Sequence, residues 1–532
     1  MTKGNIRKVT LAILFVLILV VIALFIGLFT YSYLGPDIDD ELTGTGEVTP
    51  SGDTIIFSKG NDFSLSASTD NFYTGSGNLT DTTNPQVRLI ASSDTNNAST
   101  TYYAGIRIYE NTYSYSTTNE TAELILSVYD ENGDLLEASS DTLSFVDVGG
   151  VRGFDITGLT GAYNIAIDHP ISTTSSTNGT THTWTFTLTF VNLDTDQSIN
   201  ETANLEMEVV LQKDEIGMPT IEEICSDEAN SSLLTCHILS QYTGTDGENS
   251  LYYHDADLAN SAGDNSYRYA GANPNNYVCF GSTESPCPNE YLYRIIGVFD
   301  GEVKLIKADY TTSAMLGTDG RDYSGSYVDM WGESPYYKGN MTQSDIATYR
   351  WNYDTSVSSN GSNNWTTSEF NTINLNTNYW NYLGATWQNL IATTTWYLGA
   401  TESNNTVKEV YEGERNNAGY GSNPTIYTDE IGLMYMSDYG YAAYPDAWIT
   451  NLGSYDNSSI TSNNWLYMGL FEWTITPRSS RSNHAFNLNR YGQVITSSAY
   501  NGFAVRPVFY LNSDVEYAGG TGTESDPFTL VV

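Results

Sequence analysis

The sequence predicts a chain of three parts: an N-terminal transmembrane helix, an all-β sandwich of Ig-like or jelly-roll type, and a C-terminal α+β domain of strands with short helices. Three observations predict it. Residues 11–29 (LAILFVLILVVIALFIGLF) form one unbroken apolar run. Within residues 54–212 apolar and polar side chains alternate with the two-residue period of strands. From residue 241 the texture changes to Trp, Tyr, Asn and Gly in short irregular segments.

At about 1.5 Å rise per residue the apolar run spans roughly 28 Å, close to the hydrocarbon thickness of a bilayer. Lys3, Arg7 and Lys8 precede it and no acidic residue occurs before Asp37, so the expected orientation is N-terminus in. A cleaved signal peptide is the competing reading, but its apolar core is usually about 7–15 residues and ends at small residues. Here the run is longer and exits through TYSYL at 30–34. Residues 1–34 are therefore expected to be a cytoplasmic tip and anchor. The protein is then a single-pass cell-membrane protein with its C-terminal bulk extracellular. Residues 35–53, acidic and punctuated by Gly and Pro, suit a flexible linker.

The 532 residues carry 21 Lys+Arg against 63 Asp+Glu. Setting aside Lys3, Arg7 and Lys8 leaves 18 against 63, about −45 for the remainder. Such a surface repels a phosphate backbone, so nucleic acid is not an expected partner. Hydrophobic residues at 40% still supply enough apolar area for folded cores. Cys225, Cys236, Cys279 and Cys287 are an even set in an exported chain, which reads as disulfides with three connectivities open. Local pairing, 225 with 236 and 279 with 287, is the simplest; the spacings do not suit a zinc site.

In the sandwich domain, residues 54–212, the clearest strand places Trp184, Phe186, Leu188 and Phe190 on one face with Thr opposite. Leu205, Met207, Val209 and Leu211 repeat the pattern. Asn132-Gly133 marks a tight hairpin turn. Asp194 and Asp196 sit in a loop that lacks the Gly and Glu of an EF-hand, so a polar turn is expected. With no catalytic constellation visible, this domain reads as a stalk or an adhesive module. Residues 213–240 read as a linker containing one possible disulfide and a short helix within 221–239. In the head, residues 241–532, the sequence predicts a hairpin over 292–308 turning at Asp300-Gly301, a helix over 386–398, and a closing strand over 504–511.

The head also carries a resemblance. YRIIG at 293–297, GLFEW at 469–473, TPRSS at 476–480, the turn at Gly492 and FAVRPV at 503–508 resemble surface-protein domains of gut Gram-positive bacteria. Those domains are related to the C-type-lectin-like and formylglycine-generating-enzyme-like fold. The likeness covers about residues 240–532, and the fold hosts enzymes, lectins and variable receptors. It implies that Trp473 and the strand ending in Val508 are core, with Arg506 held by carbonyls or a carboxylate. It also implies that the stretch between them forms the ligand face. Sulfatase-activating members need a late cysteine pair, and no cysteine follows Cys287. Iron-dependent relatives use two His and a carboxylate, whereas His254 and His484 stand far apart.

Arg478, Arg481, Asn483, His484, Asn487, Asn489, Arg490 and Tyr491 are accordingly the expected contact residues. They combine directional donors with stacking faces. Asp319 and Asp322 form an oxygen-rich turn that could hold Ca²⁺, the one cofactor suggested, although a plain Asp-Gly turn fits as well. The expected function is a membrane-anchored extracellular protein whose head binds a glycan or a surface protein. A glycan-acting hydrolase on the same fold and a structural envelope component remain alternatives.

Overall fold

A computed structural model of the protein describes residues 53–63, 69–94, 96–402, 405–416 and 418–532. The chain divides into two compact units, the first ending at Pro219 and the second running Thr220–Val532.

The first unit is antiparallel β-structure. Leu79–Thr83, Thr185–Phe190, Leu124–Tyr129, Val151–Asp155 and Phe145–Val148 form a five-stranded sheet in that order. Thr54–Ser58, Gln86–Ile90 and Thr180–Thr183 form a second, and Leu205–Gln212, Ala98–Asn111 and Gly161–Thr173 a third. Their inward faces share one apolar core to which Trp184, Phe186, Leu188 and Phe190 all contribute. Leu205 and Val209 are half-buried against it, with Met207 and Leu211 inside. This β-rich unit is compatible with the expected sandwich.

In the second unit Cys225 pairs with Cys236 and Cys279 with Cys287. The first disulfide ties the short helix Ile221–Ser226 to Leu234–Leu239. The largest sheet runs Leu251–His254, Ser266–Tyr269, Leu292–Phe299, Glu302–Lys307, Pro507–Leu511, Gly432–Leu433, with Tyr277–Cys279 also paired to Leu292–Phe299. The hairpin turns at Asp300 and Gly301, both at positive φ, as the right-handed strand twist demands of a two-residue turn. Trp473, Phe503, Val505 and Val508 are buried in its core.

The expected fold class requires correction. Among the described residues the chain is mostly sheet, its helices are few, and no helix is long and apolar enough to cross a membrane. The apolar run 11–29, expected as the transmembrane helix, lies outside the described residues. The C-terminal part is likewise built on sheets rather than on an α+β division. The helix expected over 386–398 shrinks to Ala385–Gln388, because Thr394–Tyr397 pairs with Ile426–Asp429 instead. Three consecutive threonines, stiff at χ1, favour the strand there.

Candidate functional site

The expected contact residues lie on one three-stranded sheet, Glu472–Pro477, His484–Leu488 and Val494–Ser498, and on its two connecting turns. The middle strand is buried from Ala485 to Leu488, so it separates the expected residues into two groups. Asn487 is inside, its Nδ2 donating to the Leu488 carbonyl, and Asn489 is buried with Nδ2 on Gln493 Oε1. Both serve the hairpin itself.

At one end stand Arg478, Arg481, Asn483 and His484. Arg478 donates to Glu402 and to Thr496 Oγ1, both at 3.1 Å. Burial works against the Glu402 carboxylate, yet donors from Ser480, Ser479 and Arg478 hold it below its ordinary value. His484 is hydrogen-bonded to Asn483 at 2.9 Å, and burial followed by the charges of Arg481 and Arg478 pulls its imidazole down. Arg481 is exposed.

Beneath this turn Asn363, itself buried, joins three segments. Its Nδ2 donates to the carbonyls of Arg478 and Arg481, and its Oδ1 accepts from Asn423 Nδ2 at 2.8 Å. An open pocket of about 260 Å³ forms around it, lined by Ser362, Asn363, Tyr420, Asn423 and Ser482 among others. Asparagine, serine and glycine there satisfy local turns first: Gly421 sits at φ +61°, where a side chain is strained. The Asn363 amide is spent on its bonds to Arg478, Arg481 and Asn423, and the lining adds the Tyr420 ring and the side chains of Ser422 and Ser482.

At the other end stand Arg490 and Tyr491. Arg490 lies over the Phe471 ring at 5.3 Å, and Tyr491 meets Tyr336 edge-on with centroids 5.3 Å apart. These tyrosines are 49% and 46% exposed.

Half of the other cations of this unit are consumed in its interior. Arg506 forks onto Glu472 at 2.7 and 3.0 Å and donates to the Leu466 carbonyl. Lys304 pairs with Asp438 at 2.6 Å, Arg268 with Asp264 at 2.5 Å, and Arg294 lies between the rings of Tyr277 and Trp465. Arg481 is among the few cations of this anionic unit left exposed, as are Arg321 and Lys408.

Asp322 is buried and spends its oxygens on the backbone N–H groups of Tyr353 and Phe370, at 2.6 and 2.7 Å. Burial pushes it up to about 6 against those donors. Asp319 accepts from Asn378 at 2.7 Å. His254 is buried against Tyr441 and Trp448, its Nδ1 accepting from the Ala262 N–H. Among the described residues the one group of three His, Cys, Asp or Glu whose donor atoms converge is Glu131, His169 and His182 of the first unit. Sequence reasoning missed it because no local motif joins them. It also missed Asn363, Tyr420 and Asn423; the only signal was the density of Asn, Ser, Gly and Tyr at 359–364 and 418–423.

A second pocket, about 360 Å³, lies by the first disulfide, lined by His237, Gln241, Asn275 and Phe528 among others. It is larger but stands apart from the expected contact residues; His237 there is stacked on Tyr517 at 3.7 Å. The chain matches no protein-family model, no curated protein and no solved structure.

Proposed function

We propose that the chain is an exported binding protein whose second unit takes a glycan into the pocket at Asn363, Tyr420, Asn423 and Ser482. The observation that carries this reading is the lining itself: a paired Asn363–Asn423 amide couple and serine side chains beside the exposed Tyr420 ring and next to Arg481. Sugars present hydroxyls for such donors and acceptors and a C–H face for an aromatic ring. The volume is below the roughly 300–1,000 Å³ of pockets for drug-sized ligands, so it suits one sugar ring. The lining holds no carboxylate, and hydrolysis by an acid pair draws no support from it. Two disulfides fit an oxidising location outside the cytoplasm.

The full chain is tested on a glycan and mucin array, with and without Ca²⁺. A selective signal is expected that Tyr420→Ala and Ser482→Trp both abolish without lowering the unfolding temperature. A signal indifferent to both variants, or none at all, ends the glycan reading. The exposed Tyr336–Tyr491 pair favours a second reading, docking of a surface protein at the other end of the sheet; Tyr491→Ala then weakens capture by that partner while leaving array binding unchanged.

A further inference from the structure

The first unit contains two of the chain's five histidines, and both reach the same carboxylate. His169 Nε2 lies 2.9 Å from Glu131 Oε2, and His182 Nδ1 lies 4.0 Å from that same oxygen. One donor atom from each of the three residues falls within 4.8 Å of the others. A tetrahedral zinc ion with metal–ligand bonds near 2.0–2.2 Å sets its ligands about 3.3 Å apart, so small side-chain movements close the cage.

The three ligands come from three different sheets. Glu131 follows the strand Leu124–Tyr129, His169 lies on Gly161–Thr173, and His182 on Thr180–Thr183. The turn bearing Glu131 is held by Asp130, whose Oδ1 accepts from the N–H groups of Asn132 and Asp134. Buried Tyr102 and Trp184 wall the group, with Tyr102 edge-on to both imidazoles and Trp184 edge-on to His169. The Trp184 indole N–H donates to the Tyr102 oxygen at 2.7 Å. His182 Nδ1 lies 3.0 Å from that same Tyr102 oxygen, so ligating a metal through Nδ1 requires its lone pair to leave this contact for the ion.

We propose that Glu131, His169 and His182 bind one Zn²⁺ ion, clamping the three sheets of the first unit and leaving a fourth position for water or an anionic ligand. Two imidazoles and a carboxylate suit zinc, whereas Ca²⁺ and Mg²⁺ prefer all-oxygen shells. An ordinary His–Glu ion pair packed among aromatics is the competing account.

The test is equilibrium dialysis of the full-length, tag-free chain in detergent against Zn²⁺, after chelation and with excess Mg²⁺ to occupy the acidic surface. One equivalent of zinc is expected, with a raised unfolding temperature. His169→Ala and Glu131→Gln should each weaken it beyond the roughly 10–100-fold that loss of an outer-shell partner costs. Equal zinc binding by folded variants, or no saturable binding by the unaltered chain, overturns the proposal. Should the variants misfold, the Co²⁺ adduct of the unaltered chain decides. Intense visible bands of a four- or five-coordinate site support it, and the weak spectrum of six-coordinate aquo-cobalt overturns it.

Discussion

Lys304 and Glu302 stand two residues apart on one strand and show opposite fates for a buried charge. Lys304 and Asp438 are both fully buried, and the ammonium lies 4.5 Å from the Tyr435 ring. Burial still pulls Lys304 down to about 8, against the attraction of Asp438. Removing one partner of such a pair strands the other, so Lys304→Met should cost about 3–5 kcal/mol in chemical denaturation. Glu302 lacks a comparable cation: burial and the neighbouring Asp300 push it up to about 7. A carboxyl raised above its unfolded value holds its proton more tightly in the folded state. Its contribution is full below about 4.5 and is lost as pH rises through 7. Glu302→Gln should therefore stabilise the protein by about 1 kcal/mol at pH 8, after discounting for partial exposure, and not at all near pH 4. Denaturant midpoints at the two pH values check it. The family resemblance implied that carbonyls or a carboxylate hold Arg506, and the fold supplies the carboxylate as Glu472, 34 residues away.

The elements most legible in the sequence are those whose signal is local. Alternation placed Trp184 to Phe190 on the core face, and Asp300-Gly301 specified a turn that only positive φ allows. The segment 386–398 defeated the same approach, since its strand exists only through pairing with Ile426–Asp429. The contact stretch shows the same limit. Polar residues on a surface hairpin and polar residues inside one look alike in sequence, and burial of Asn487 and Asn489 separates them. A substitution set that includes Asn487 would thus confound loss of binding with loss of fold. The element with the clearest energetic role is the helix pair joined by Cys225–Cys236, a separation of 11 residues. Chain-entropy reasoning puts the contribution of such a closure at about 2–3 kcal/mol. Cys225→Ser with Cys236→Ser should lower the denaturation midpoint of the second unit accordingly.

At the scale of the molecule, each unit has its own apolar core. Calorimetry of the chain should resolve two transitions. Lys304→Met and the loss of Cys225–Cys236 should move one of them, and Zn²⁺ the other. A single transition shifted by both would show the units to be energetically inseparable.

By itself the sequence pointed to the β-structure of the first unit, to local cysteine pairing as the simplest of three connectivities and to the hairpin at Asp300-Gly301. Each of these is written in residue type and near spacing, which short-range sterics and loop closure convert directly into structure. Only the tertiary structure decided which polar residues face solvent, which cations are spent on buried carboxylates, and which distant segments meet. Asn363 with Asn423, and Glu131 with His169 and His182, are brought together by sheet packing. Such proximity follows from how the strands are paired, which periodicity within any one strand does not encode.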